Sequence, residues 1–208
     1  MNEITGNKIH FIGIGGIMMS SLAMMALENG KTVSGSDRAP SDLTEALVRK
    51  GAAVYYGQCG ENIDRTCPDA VVYTAAIHPD NPEFQRAKER GIPMFSRAEY
   101  LGLLMMAYRH RIGVSGTHGK SSTTGMLSSI TVHSDTDPTI LCGAELACLD
   151  GVAFRIGQKE HLVYLVFYHF HHYFHRYSHH CFRRYQKTEH LVLRLLLFLH
   201  KRLILKKR

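Results

Sequence analysis

The chain has 208 residues, 45% of them hydrophobic and 21% charged, with a formal net charge of +7. That excludes a disordered or fibrous composition and allows one or two buried cores. The positive charge belongs to one segment. Residues 165–208 hold ten of the 25 Lys and Arg but only Glu189 of the 18 acids, so residues 1–164 are slightly acidic and give no reason to expect a nucleic-acid partner.

Met1 to Ile9 lacks the apolar run of a secretory signal, and no stretch supplies the ~18 apolar residues of a bilayer span, so a cytoplasmic protein is expected. The first strand is expected at residues 8–12, entering Gly13-Ile-Gly15-Gly16. A helix follows from Ile17 to Asn29, with Leu22, Met25 and Ala26 at helical spacing and Gly30 as its stop. Strands are expected at 31–34, 53–56, 70–73 and 93–95. Helices are expected at 41–50 and 82–90, then a helical stretch at 98–107. This alternation predicts a parallel sheet with right-handed crossovers.

Arg109-His110-Arg111 leads into a new strand at 112–115, which places a domain boundary near residue 108. That strand runs into Gly116-Thr117-His118-Gly119-Lys120-Ser121, followed by a helix from Ser122 to about Ile130. Further strands are expected at 138–141 and 161–164. From Leu165 onward there is no Gly, Ala, Pro or Asp, and eight of the 14 histidines fall there. A folded α/β domain needs such residues for its turns and caps, so residues 165–208 are expected to be an aberrant tail, the product of an out-of-frame translation. Its histidines and Cys181 show no spacing that recommends a metal site, and its apolar run is broken by Arg194, His200, Lys201 and Arg202. The five cysteines are scattered and odd in number, so reduced thiols are expected.

Two motifs carry chemistry. The turn Gly13-x-Gly15-Gly16, between strand and helix, is the setting in which backbone amides and a helix's positive end hold a phosphate or pyrophosphate. Asp37, at the end of the second strand, stands about where an acid meets a ribose in dinucleotide folds. Met18 occupies the position of the third glycine of a G-x-G-x-x-G fingerprint, so the match is incomplete. The second motif ends like a P-loop but is two residues shorter between its glycines. There the loop amides would surround phosphates, Lys120 would meet the β- and γ-phosphate charge, and the Ser121 hydroxyl would ligate Mg²⁺. A lone loop histidine such as His118 carries little weight. Two nucleotide-type loops about a hundred residues apart disfavour a dehydrogenase.

Taken together and in order, five segments resemble the UDP-N-acetylmuramate:L-alanine ligases of the Mur ligase family over residues 8 to about 164. They are Gly13 to Ala23, Val33 to Asp37, Thr74 to Ile77 with Asn81-Pro82-Glu83, Arg97-Ala98-Glu99, and Gly116 to Ser121. The resemblance implies a Rossmann-like UDP-sugar domain at 1–108, the start of a central P-loop ATPase domain at 109–164, and further sequence not recognisable in 165–208. It implies ATP and Mg²⁺ as cofactors, with UDP-N-acetylmuramate and L-alanine as substrates joined through an acyl phosphate. It implies that Gly13, Gly15 and Gly16 face the UDP diphosphate, Ser36 and Asp37 the nucleoside, and Thr74 the UDP-sugar. Gly116, Thr117, His118, Gly119, Lys120, Ser121 and Ser122 would meet the ATP phosphates. Met18 and Ser21 replace small residues or Gly of the family pattern, and Ser121 replaces Thr while keeping its hydroxyl. The carboxylates that help hold Mg²⁺ in the family are not recognisable after Tyr164, so this chain is expected to be truncated and without turnover. The alternatives are a non-catalytic nucleotide-binding module and a basic, histidine-rich metal- or membrane-binding protein.

Overall fold

The computed structural model describes residues 6–115, 118–158 and 160–165. The expectations for the segment after Leu165, including its histidines and Cys181, lie outside these residues. The described residues belong to one compact unit, Met1–Val166, built on two sheets.

The first sheet contains β1 (Lys8–Ile12), β2 (Thr32–Asp37), β3 (Ala53–Tyr56), β4 (Ala70–Tyr73) and β5 (Met94–Ser96), all parallel, in the order β3-β2-β1-β4-β5. This is a Rossmann-like order, with its switch point between β1 and β4. The last four residues of β1 are buried irrespective of face, as both faces of a parallel sheet are covered by helices. β2 runs through Gly35 and Ser36 and ends at Asp37. Gly35 permits this because a Cβ there would lie 2.6 Å from the Phe11 carbonyl oxygen. A glycine inside a strand marks such a close backbone approach.

The connecting helices are α1 (Ile17–Glu28), α2 (Asp42–Arg49), α3 (Gly60–Thr66), α4 (Pro82–Glu89) and α5 (Arg97–Met105). Local sequence sets their starts. Ser41 and Thr44 form a capping box for α2, Ser96 and Glu99 one for α5, and the Asn81 side chain accepts the Glu83 and Phe84 amides ahead of Pro82 in α4. α3 was not expected. It has one large apolar residue, Ile63, which is fully buried in a cluster with Ile12, Val71 and Ala87. α1 is buried at every position from Met18 to Ala26, because it lies against the first sheet and also against strands of the second. A helix covered all round needs no amphipathic stripe.

The second sheet has β6 (His110–Val114), β7 (Thr139–Leu146), β8 (Val152–Arg155) and β9 (His161–Leu165), in the order β6-β9-β7-β8. β6, β9 and β7 are parallel, whereas β8 pairs antiparallel with β7, a hairpin the sequence reading did not anticipate. α6 (Lys120–Val132) packs its Leu127 onto a core of Val114, Ile140, Cys142, Leu146, Leu149 and Val163. Cys59, Cys67, Cys142 and Cys148 are free thiols.

Candidate functional site

The carboxyl ends of β1 and β4 bring the glycine turn beside the loop that begins at Thr74. A Cβ on Gly13 would lie 3.3 Å from Thr74 Cγ2 and 3.9 Å from Ile77 Cδ1. Gly13 has φ of 80°, a left-handed conformation that favours glycine. The structure therefore unites Gly13, Gly15, Gly16 and Thr74 at the crevice where open α/β sheets bind ligands.

The turn is closed from within. The Gly13 and Ile14 amides donate to the Ser36 carbonyl at 2.8 and 2.9 Å, and the Gly16 amide donates to the Gly13 carbonyl at 3.3 Å. The Gly15 amide donates to Asp37 Oδ2 at 2.7 Å, while Asp37 Oδ1 accepts the Arg38 amide at 2.7 Å. A side chain at Gly15 would meet Asp37 Oδ2 at 2.8 Å and Thr44 Cγ2 at 3.0 Å. The glycine amides are thus engaged, and α1 begins at Ile17 without a side-chain cap. Its first amides and its dipole are what the turn presents to an anion. Met18 is buried inside this helix, and the Ser21 hydroxyl donates to the Ile17 carbonyl at 2.8 Å.

Ser36 is placed beneath the turn. It is fully buried, and its hydroxyl donates to Glu83 Oε2. The resemblance implies that Ser36 faces the nucleoside; its hydroxyl in this structure is engaged with Glu83. Glu83, also fully buried, accepts the Asn62 amide on Oε1 at 2.6 Å, and His10 Nε2 lies 3.6 Å from the same oxygen. His10 Nδ1 shares a hydrogen bond with Ser34 Oγ at 2.9 Å. Asn62 also donates to the Gly57 carbonyl at 3.0 Å. The sequence reading gave Glu83 no role beyond its motif. A Glu in a first helical turn ordinarily signals only a favourable dipole contact.

Beside the second sheet, α6 begins at Lys120, two residues earlier than expected, with Gly119 before it at φ of 74° and no side-chain cap. Lys120 and Ser121 therefore stand in the first turn of a helix, whose positive dipole favours phosphate. His118, Gly119, Ser121 and Ser122 are exposed, and Lys120 is half-buried. Gly116 and Thr117 lie outside the described residues. The arrangement fits ATP phosphates. For Mg²⁺ it offers the Ser121 hydroxyl, and among the described residues no group of three His, Cys, Asp or Glu is placed to hold a metal. Mg²⁺ is ordinarily held through one or two carboxylates together with substrate phosphates, so these residues supply part of its shell.

Residues 8–109 match the model of the Mur ligase family, catalytic domain. The chain is 54% identical over 155 residues to the UDP-N-acetylmuramate–L-alanine ligase of Agathobacter rectalis, covering 74% of this chain and 33% of that protein. The chain belongs to the Mur ligase family. The corresponding Mur ligase of Clostridium kluyveri is 53% identical over 156 residues, 75% of this chain and 34% of the relative. Among solved structures, the UDP-N-acetylmuramate–alanine ligase MurC of Thermotoga maritima is similar at 33% identity and a TM-score of 0.69. That alignment covers 76% of this chain and 36% of that one. The chain thus spans about a third of the length of the curated relatives it matches. The expected α/β class with its parallel amino-terminal sheet agrees with this Mur ligase neighbour. No helix among the described residues is long and apolar enough to cross a membrane.

Proposed function

We propose that this chain carries the UDP-sugar site and the ATP-phosphate loop of a cytoplasmic ligase that joins L-alanine to UDP-N-acetylmuramate in peptidoglycan synthesis. The observation that carries the reading is the crevice between β1 and β4. There the Thr74 loop borders a glycine turn that delivers an uncapped helix end, in a chain 54% identical to a ligase of that name. The diphosphate would sit at the amino end of α1. Gly13, Gly15 and Gly16 shape the turn, Ser36 and Asp37 hold it from below, and Thr74 lines the facing wall. Gly116 to Ser122 would receive the ATP phosphates, with Lys120 offsetting their charge and Ser121 as a Mg²⁺ ligand. When bound, Mg²⁺ would neutralise developing charge on the transferred phosphoryl group.

Calorimetric titration of the 208-residue chain with UDP-N-acetylmuramate and with NAD tests the first site. Tighter binding of NAD would overturn the assignment. The chain by itself is expected to release no phosphate from ATP in the presence of L-alanine, because phosphoryl transfer depends on positioning and charge neutralisation and one hydroxyl supplies little of either. Phosphate release abolished by Lys120→Ala would contradict that expectation. A second reading is a module that binds nucleotides without turnover, since among the described residues no group of three His, Cys, Asp or Glu stands beside Ser121 to hold a metal. Retained affinity for both nucleotides in an inactive chain distinguishes it.

A further inference from the structure

Glu83 is a fully buried carboxylate, and burying one is costly unless donors surround it. Here they do. Ser36 Oγ donates to one oxygen, the Asn62 amide donates to the other at 2.6 Å, and His10 stands 3.6 Å away. The two hydrogen-bond donors come from β2 and α3, and Glu83 itself from α4, so one carboxylate joins three elements, with His10 Nε2 of β1 beyond hydrogen-bond reach. Asn81 fixes the start of α4 through the Glu83 and Phe84 amides and donates to Gln58 Oε1 at 2.7 Å. The bond from Ser36 has a particular consequence. The same residue's carbonyl accepts the Gly13 and Ile14 amides, which set the path of the glycine turn into α1.

We propose that Glu83 is a positioning residue for the diphosphate turn, acting through Ser36. It holds the Ser36 side chain from the α4 side, and the Ser36 carbonyl then holds Gly13 and Ile14. The inference rests on the proposed UDP-sugar site for its effect on binding, but the coupling within the turn stands apart from that reading. A carboxylate that merely stabilised the domain would slow opening everywhere alike. One that positions the turn acts first on the amides bonded to Ser36.

The test uses the full chain, with Glu83→Gln, Ser36→Ala and the double variant. The readouts are amide hydrogen exchange resolved at Gly13 and Ile14, affinity for UDP, and melting temperature. Glu83→Gln should accelerate exchange at Gly13 and Ile14 while Val71 and Val72 of β4 stay protected, and it should weaken UDP binding by about tenfold. The double variant should bind no more weakly than Ser36→Ala alone. Acceleration spread uniformly over β1 and β4, with UDP affinity unchanged, would overturn the proposal, as would additive losses in the double variant. If Glu83→Gln does not fold, Ser36→Ala carries the same exchange prediction and is judged by the same outcomes. If the unaltered chain fails to bind UDP, the proposed nucleotide site fails, while the exchange pattern still decides the role of Glu83.

Discussion

Asp37 stands where a dinucleotide fold would place its ribose reader, yet both of its carboxylate oxygens accept backbone amides. Oδ2 takes Gly15 at 2.7 Å in a half-buried setting, and Oδ1 takes Arg38 at 2.7 Å in an exposed one. The first bond should dominate, because hydrogen bonds to a charged group contribute about 1.5–3 kcal/mol and exposed ones much less. Asp37→Ala should therefore cost about 1.5–3 kcal/mol, a fall of roughly 3–12 °C in Tm for a domain of this size. Asp37→Asn keeps a neutral acceptor and should cost about half as much. Binding of UDP and of 2′,3′-dideoxy-UDP to both proteins closes a double-mutant cycle. If Asp37 closes the turn without reading the sugar, the losses from removing the carboxylate and from removing the hydroxyls add within about 0.5 kcal/mol. A coupling above about 1.5 kcal/mol with an unchanged Tm would refute this reasoning and return Asp37 to the ribose.

Gly35→Ala should destabilise by about 3 kcal/mol in denaturant titration, since the new Cβ meets the Phe11 carbonyl oxygen at 2.6 Å and backbone cannot yield cheaply; a loss below ~1 kcal/mol would show that β1 and β2 can separate. Tyr100→Phe should be neutral or stabilising by about 1 kcal/mol, because its buried hydroxyl has no hydrogen-bond partner among the described residues and the edge contact with Phe11 at 5.6 Å survives. Burial pushes the Tyr100 phenol well above its ordinary value, and a destabilised Phe variant would mean that the hydroxyl is bonded. The Lys8 and Asn7 amides, at 2.8 and 2.7 Å, hold the Asp69 carboxyl below the usual carboxylate range. Its contribution is thus fully present above the unfolded value near ~3.9 and lost as pH falls through the lower folded value. The Tm advantage over Asp69→Asn should hold at neutral pH and shrink below about pH 4, and an advantage independent of pH would exclude this carboxylate as its source.

Much of the first sheet was readable because its strands are short β-prone runs bounded by glycine at β1 and β3 and by Pro68-Asp69 ahead of β4: the residues expected for these three are those observed. The misses have local causes. In β2, Gly35 marks not a stop but the point where two backbones approach closely. α3 carries one large apolar residue and no stripe, so its helicity depends on the packing of Ile63 and the bonds of Asn62. β8 had a signal that went unused. Asp150 and Gly151 adopt φ of 56° and 82°, and an Asp-Gly pair between β-prone runs marks a hairpin and not a crossover. In the site, residue types and spacing located the two loops. They could not reveal that Ser36 faces inward, because a strand that passes between covered layers buries both of its faces.

The glycine turn also explains why an incomplete fingerprint is compatible with an anion site. In dinucleotide folds the second glycine lets backbone approach the pyrophosphate and the third lets helix and strand pack closely. Here Gly15 answers to a different neighbour: what a side chain would strike is Asp37 and Thr44, so the requirement comes from the turn's own closure. Met18, in place of the third glycine, is buried among the core residues of α1, where a flexible side chain is well suited to irregular packing. The glycines thus specify a backbone path, and the path delivers the uncapped end of α1 to the crevice. Ser36, Asp37 and Glu83 fix that path through their bonds to the turn and to one another, and would act on a bound anion only through it. The motif thus reads as a backbone path whose side chains, Ser36 and Asp37, bond within the turn and to its neighbours.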